Sequence, residues 1–288
     1  MNAAAKKAET ARPGTARGTI PRVDTLVLSG GSSKCIASLG KLQQLQDSEV
    51  INLKHVKFYY ATSAGALIAA LLAIGFSIKR VLRIFETTNV QRNKVVDAVR
   101  DVCILPKNIV MSEMSKYFSG SFTDLKALYD VELNVYCYNL STDRVLVCNH
   151  VNTPTLAVPA AVSMSMALPP LLPPYSFRGE VIVDGGFINN FPIMDAVNDR
   201  KDARRVLGIL TVTEQGGGTN TLHINKINFI FFAFSQTVER LQKLQLSLIP
   251  ADVKKRMIIL NIVNGSTFAF NLDSHIVREL FYKGYYST

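Results

Sequence analysis

Ser63 lies in the run Ala61-Thr62-Ser63-Ala64-Gly65, with small residues on both sides. A β-rich run precedes it and an apolar run follows, so the serine stands at a strand-to-helix turn. A hydroxyl there projects from a tight reversal, and the unpaired N–H groups of the helix start favour developing negative charge. A serine nucleophile needs both. The usual spacing is G-x-S-x-G, and Ala61 takes the place of the first glycine. Taken alone the stretch is weak, because a serine in such a turn is more often structural.

A second turn, Ser29-Gly30-Gly31-Ser32-Ser33-Lys34, also joins a strand to a helix. Gly30 and Gly31 let the backbone turn its amides towards an anion, and the following helix adds positive partial charge. An oxyanion or a phosphate would suit such a loop. The patterns G-x-x-x-x-G-K-[ST] and G-x-G-x-x-G are both absent, so a nucleotide site is the weaker reading. The third element is Asp184, at the end of an apolar run and followed by Gly185 and Gly186. A carboxylate on a strand end, unobstructed by its neighbours, can reach a hydroxyl on another strand end. An Asp-Gly pair that only opens a turn is the competing reading.

Histidine and cysteine add little. His55, His150, His223 and His275 carry no flanking motif, and nothing recommends one as the base of a triad. Cys35, Cys103, Cys137 and Cys148 make no C-x-x-C pair and no metal-ligand spacing, so no metal is expected. They read as free, buried thiols. Cys137 and Cys148 are expected to face one another across a hairpin without a bond in a reducing compartment.

The elements that hold these groups follow from periodicity. Thr25 to Leu28 predicts a short buried strand, and Ile36, Leu39, Leu42 and Leu45 predict a helix after the glycine turn. Val56 to Tyr60 repeats the strand. The next helix, apolar from Ala64 to Ala73, has almost no polar face and must be buried, with Gly75 as its stop. Residues 79–130 are mostly helical in period, with Lys79, Arg80, Arg83, Arg92, Lys94 and Arg100 as a basic face. Glu132 to Tyr138 and Arg144 to Cys148 predict two strands joined by a short loop. Val181 to Val183, Arg205 to Val212 and Met257 to Ile262 are further strands, and Ser274 to Lys283 is helical. Strands alternating with helices predict one α/β domain with a largely parallel sheet.

In order and spacing, the three turns resemble the patatin-like phospholipase family. The oxyanion loop of that family is similar to Leu28-Ser29-Gly30-Gly31-Ser32-Ser33-Lys34-Cys35, its elbow to Ala61-Thr62-Ser63-Ala64-Gly65-Ala66, and its Asp-Gly-[Gly/Ala] element to Val183-Asp184-Gly185-Gly186. The passage Ser163 to Pro174, the stretch Phe187 to Pro192 and the closing Lys283-Gly284-Tyr285 add to the likeness. The resemblance implies a three-layer α/β/α fold and a Ser63–Asp184 dyad acting on acyl esters of phospholipids or related lipids, without metal or cofactor. It implies an oxyanion hole drawn from Gly30, Gly31, Ser32 and Ser33, with Lys34, Ala61, Gly65, Gly185 and Gly186 in support. Ser32 and Cys35 replace small residues of the family loop. If position 32 needs φ > 0, a serine there costs about 1–3 kcal/mol of strain. A hydrolytically weak relative that binds lipid or a partner is the alternative.

Composition sets the bounds. With 288 residues, 48% hydrophobic and 19% charged, the chain can bury one sizeable core and is not mainly disordered. The formal charge is +10, and residues 1–22 carry five basic side chains against Glu9 alone. This tail is expected to be disordered and to touch anionic membrane, with the patatin-like domain over 23–288 and nucleic acid a weaker partner. Lys254-Lys255-Arg256 is a second basic cluster for such contact. No secretory signal or membrane-spanning run is recognised, which predicts a cytoplasmic or peripheral membrane location. Met164, Met166, Leu168, Leu171 and Leu172 suit either an acyl channel or ordinary core. Phe229, Phe231, Phe232 and Phe234 cover all faces of a helix and are expected to be buried.

Overall fold

Four consecutive buried residues, Thr25–Leu28, form β1 in the middle of the sheet. The computed structural model describes residues 22–88, 108–169, 171–214, 226–263 and 273–287. A strand covered on both faces needs such a continuously buried, mainly apolar run rather than a polar–apolar alternation. The remaining strands are β2 (Phe58–Thr62), β3 (Glu132–Asn139), β4 (Arg144–Cys148), β5 (Tyr175–Phe177), β6 (Glu180–Asp184), β7 (Val206–Glu214) and β8 (Met257–Val263). β3, β2, β1, β7 and β8 lie side by side and parallel. β4 and β6 pair antiparallel with β3, and β5 pairs with β6. The winding direction reverses at β1, which has β2 on one side and β7 on the other. In open α/β sheets, ligands bind beyond the carboxyl ends of the strands at such a switch point.

Ten helices are described: α1 (Ile36–Asp47), α2 (Ala64–Ala73), α3 (Ile78–Thr87), α4 (Ile109–Ser115), α5 (Phe122–Tyr129), α6 (Val158–Ser165), α7 (Ile193–Arg200), α8 (Lys226–Leu248), α9 (Ala251–Lys254) and α10 (Ser274–Tyr285). They sort onto two faces. Leu26 and Leu28 of β1 point into a core shared with α1, α2, α6 and α10, whereas Val27 points into a second core with Ile193 and Ala196 of α7 and Val253 of α9. Alternation along the central strand therefore feeds both cores, and the fold is a mostly parallel sheet between helical layers.

Some boundaries differ from expectation for local reasons. β2 starts at Phe58 rather than Val56, because Leu53–His55 close a 3₁₀ turn in which the Asn52 side chain accepts from the Lys54 amide. It runs on to Thr62, which keeps its partner Tyr136. Three residues, Tyr175–Phe177, form a strand that was too short to signal itself. Cys137 faces Leu146, not Cys148, which lies opposite Val135, so the two thiols are diagonal neighbours. Both are free and buried. Gly75 does end α2, with φ +84. Residues 1–21, Arg92, Lys94, Arg100, Cys103, His223 and the side chains of the phenylalanine run lie outside the described residues. Among the described residues, no helix is long and apolar enough to cross a membrane.

Two glycines lie where α1 meets α10. A Cβ at Gly284 would fall on the Ala37 carbonyl, and one at Gly40 would fall on the Phe281 carbonyl, with the Tyr285 amide 2.8 Å away. α1 and α10 therefore cross with backbones in direct contact, and the Lys41 ammonium donates to the Ser287 carbonyl at 2.7 Å.

Candidate active site

The chain leaves β2 at Thr62, and Ser63 turns it into α2 with φ 54 and ψ −130. A non-glycine residue at such a backbone angle is held there by its surroundings. The Ser63 amide donates to Ser165 Oγ at 2.8 Å, and that hydroxyl donates to the Tyr136 carbonyl at 2.6 Å. The Thr62 hydroxyl donates to the Asn189 carbonyl at 2.8 Å. Gly65 completes the elbow. A side chain there would fall on the Ser29 carbonyl and stand 2.8 Å from the Leu28 carbonyl, so only glycine lets α2 start this close to β1. Ala61, at the position of the absent glycine, is fully buried and simply continues β2 opposite Val135.

Asp184 reaches Ser63 because of strand register. β4 covers one flank of β3 from Val135 to Asn139. β2 and β6 must then share the other flank. β2 arrives parallel and stops with Thr62 opposite Tyr136, while β6 arrives antiparallel and stops with Asp184 opposite Cys137. Their carboxyl ends meet tip to tip. The Ser63 hydroxyl donates to Asp184 Oδ2 at 2.6 Å, and the Gly186 amide donates to Oδ1 at 2.7 Å. Burial pushes the carboxyl up to about 7 against these two hydrogen bonds, which favour the charged form. Gly185 is required by closeness, since a Cβ would overlie the Tyr136 carbonyl and stand 3.0 Å from the Thr62 methyl. None of the described histidines lines the cavity around these groups.

The glycine loop after β1 forms the facing wall. The Ser29 amide donates to the Ile209 carbonyl at 3.2 Å, and Ser29 Oγ accepts from the Thr211 amide at 3.0 Å, which pins the loop to β7. The Gly30 amide donates to the Asn190 carbonyl at 3.1 Å. Gly30 is therefore not an available oxyanion donor, contrary to expectation, because its N–H is already engaged. A Cβ on Gly30 would stand 3.0 Å from that of Ser63, and one on Gly31 would fall on Thr211 Oγ1. Ser32 has φ 51, so the position does take the left-handed conformation that glycine adopts without strain. Ser32–Cys35 then coil into a 3₁₀ turn.

Two side chains of that turn point inward. Cys35 is fully buried, and burial pushes its thiol up to about 12, which makes it packing rather than a nucleophile. Lys34 is 5% exposed, and burial lowers its ammonium pKa while the Glu239 carboxylate opposes the shift.

These groups bound a cavity of about 110 Å³ at the carboxyl ends of β1, β2 and β7. Of the five residues that suited either an acyl channel or ordinary core, Met166, Leu168 and Leu171 line the cavity, whereas Met164 and Leu172 lie in the core alone. α8 supplies the opposite wall through Val238, Glu239, Gln242, Lys243 and Leu246. Asn190, Thr211 and Gln242 belong to the site without having been singled out from sequence. Asn190 lies in the Phe187 to Pro192 stretch, whereas the other two have no local signal. Among the described residues, no group of three potential metal ligands converges. The basic cluster Lys254-Lys255-Arg256 precedes β8 and lies at the amino ends of the parallel strands, opposite the cavity.

The chain is 26% identical over 271 residues to protein R571 of Acanthamoeba polyphaga mimivirus, covering 90% of each. It is 23% identical over 205 residues to probable lipid hydrolase 463L of Invertebrate iridescent virus 6, covering 66% of this chain and 69% of that protein. Among solved structures, VipD of Legionella pneumophila superposes over 92% of this chain with a TM-score of 0.56 and 18% identity. ExoU in its heterodimeric complex with SpcU, from Pseudomonas aeruginosa, does so over 92% with a TM-score of 0.50 and 17% identity. The chain spans 66% of the VipD chain and 50% of the other. Likeness at that level shows the shared fold. The family model for patatin-like phospholipase matches residues 26–197, from β1 through Ser63 and Asp184 into α7, and the chain belongs to that family.

Proposed function

We propose that this protein is a lipid acyl hydrolase, of the phospholipase A or lysophospholipase type, that cleaves fatty-acyl esters through a Ser63–Asp184 dyad. The observation that carries the reading is the 2.6 Å hydrogen bond from the Ser63 hydroxyl to a buried carboxylate. Asp184 takes the serine proton as Oγ attacks the ester carbonyl carbon, and the carbonyl electron pair moves onto oxygen. With its carboxyl near 7, Asp184 is suited to accept and return a proton at neutral pH. The amides of Gly31, Ser32 and Ser33 receive the oxyanion. Loss of one such donor typically costs about 10²–10³ in rate. Collapse of the tetrahedral intermediate breaks the ester C–O bond, and the departing alcohol takes the proton from Asp184. Water then attacks the acyl-serine with Asp184 again as base, which frees the fatty acid and restores the Ser63 hydroxyl.

The test pairs a fluorophosphonate probe with fatty-acid release from acyl esters. Labelling at Ser63, lost in Ser63→Ala, together with a fall in hydrolysis of about 10³-fold or more in Ser63→Ala and Asp184→Asn, is the expected result. A folded wild-type protein that neither labels nor hydrolyses would instead be an interaction protein on the same fold.

Contact with anionic membrane belongs to this reading. The basic tail lies outside the described residues, and Lys254-Lys255-Arg256 would turn the cavity away from a bilayer. α8 is better placed, since Leu241, Leu244 and Leu248 are exposed beside the cavity wall with Arg240 and Lys243 next to them. Liposome co-sedimentation that rises with anionic lipid and falls with salt is expected.

A further inference from the structure

Gln242 sits on the cavity side of α8 between Val238 and Leu246, each one helical turn away. It is 6% exposed, in a position where a helix facing a core would ordinarily carry an apolar residue. Its Oε1 accepts from Asn190 Nδ2 at 3.0 Å. The same Asn190 Nδ2 donates to the Gly30 carbonyl at 3.4 Å. These contacts orient both amides. A carbonyl can only accept, so Asn190 turns its NH₂ towards Gly30, and Gln242 must then turn its oxygen towards Asn190. The Gln242 Nε2 is left buried without an acceptor among the described residues. Buried amide donors are nearly always hydrogen-bonded, and an exception in a ligand cavity points to a ligand atom.

We propose that Gln242 is a substrate-binding residue whose Nε2 donates to an oxygen on the alcohol half of the acyl ester, the glycerol hydroxyl oxygen. The proposal rests on the acyl-hydrolase reading of Ser63 and Asp184. The walls of the cavity assign the side. Met166, Leu168 and Leu171 make the apolar wall that suits an acyl chain, whereas α8 brings Gln242 together with Glu239 and Lys243. A neutral amide donor matches a neutral hydroxyl oxygen, and an ionised headgroup would meet the charged residues instead. Gln242 thereby joins substrate orientation to the nucleophile's surroundings through two hydrogen bonds, by way of Asn190 and Gly30.

Two measurements test this. The first is equilibrium binding of an ether-linked lysophospholipid, which keeps the glycerol oxygens but has no scissile ester, to Ser63→Ala protein with and without Gln242→Met. Methionine keeps the length of the side chain and removes the donor. Kd should rise about tenfold, the effect of one hydrogen bond to a buried group. The second is the ratio of kcat/KM for lysophosphatidylcholine to that for a p-nitrophenyl ester of the same acyl chain. Gln242→Met should lower this ratio about tenfold, the change appearing as a rise in KM for the lysophospholipid. An unchanged Kd overturns the proposal. So does an equal loss on both esters, which a merely structural role through Asn190 would give. If Gln242→Met does not fold, Gln242→Glu keeps an acceptor for Asn190 and permits the same comparison. Absence of fluorophosphonate labelling on folded wild-type protein would remove the hydrolase reading, while the binding measurement still decides Gln242.

Discussion

Thr62 and Asp184 pair with successive residues of one strand, Tyr136 and Cys137, on the same flank of β3. Two strands that run in opposite directions thus end facing each other, and the hydroxyl of the next residue, Ser63, meets the carboxylate across the gap. The separation is set by the rise of one residue along β3, a rigid spacing of about 3.3 Å. Flexing of the sheet as a whole moves both groups together.

Ester hydrolysis should depend on ionisation of Asp184. A base whose carboxyl titrates near 7 is protonated below that pH, so kcat/KM should fall about tenfold per unit on the acid side and level off above it. A pH profile on a soluble p-nitrophenyl ester measures this. A plateau extending down to pH 4 would mean that the carboxylate keeps its ordinary acidity and that burial does not govern it.

The same shift has a cost in stability. The folded chain holds the Asp184 proton more tightly than the unfolded chain, whose carboxyl titrates near about 3.9. Stability therefore falls as pH rises from about 4 and has lost its full increment above about 7, a ceiling on the order of 4 kcal/mol. Asp184→Asn, neutral throughout, should melt several degrees above wild type at pH 8 and converge with it near pH 4. Thermal melts at the two pH values decide the matter, and a lower melting point for the variant at pH 8 would contradict it.

Gly65→Ala should damage chemistry more than folding. The added methyl falls on the Ser29 carbonyl, so the start of α2 must lift and carry Ser63 away from Asp184. A loss of about 10²-fold in kcat is expected from misplacement of this size, with the far-UV spectrum retained. Retention of full activity would show that the elbow tolerates the shift.

Gly284→Ala lies far from the cavity and should act on stability. Its methyl would overlap the Ala37 carbonyl, so α1 and α10 must separate. A destabilisation of about 1–3 kcal/mol follows from overpacking at a backbone contact. Chemical denaturation should show the midpoint lowered with the slope unchanged.

The three turns were legible because each is a local event. A short buried strand, small residues and a following helix specify the surroundings of Gly30, Ser63 and Asp184 within ten residues of chain. The apolar helix over Ala64–Ala73 was legible for the same reason, since a helix without a polar face can only be buried. What could not be read is the pairing that brings distant parts together. Ser165 tethers the Ser63 amide, Asn190 engages Gly30, and Thr211 backs Gly31, yet each looks in sequence like an ordinary polar residue. Gln242 was hidden most completely. It lies in a helix whose other positions include exposed Leu244 and Lys243, and only tertiary packing selects the face that meets the cavity. The availability of Gly30 as a donor failed for the same reason, because its acceptor belongs to a loop that only the fold brings near.

The crossing of α1 and α10 has a consequence at the other end of α1. The glycine loop leads directly into that helix, so its amides take their aim from a rod clamped near its midpoint by Gly40 and Gly284 and moored by Lys41 to the Ser287 carbonyl. The closing segment of the chain thus works as a counterweight for the opening turn, and loosening it would blur the alignment of donors that it never touches.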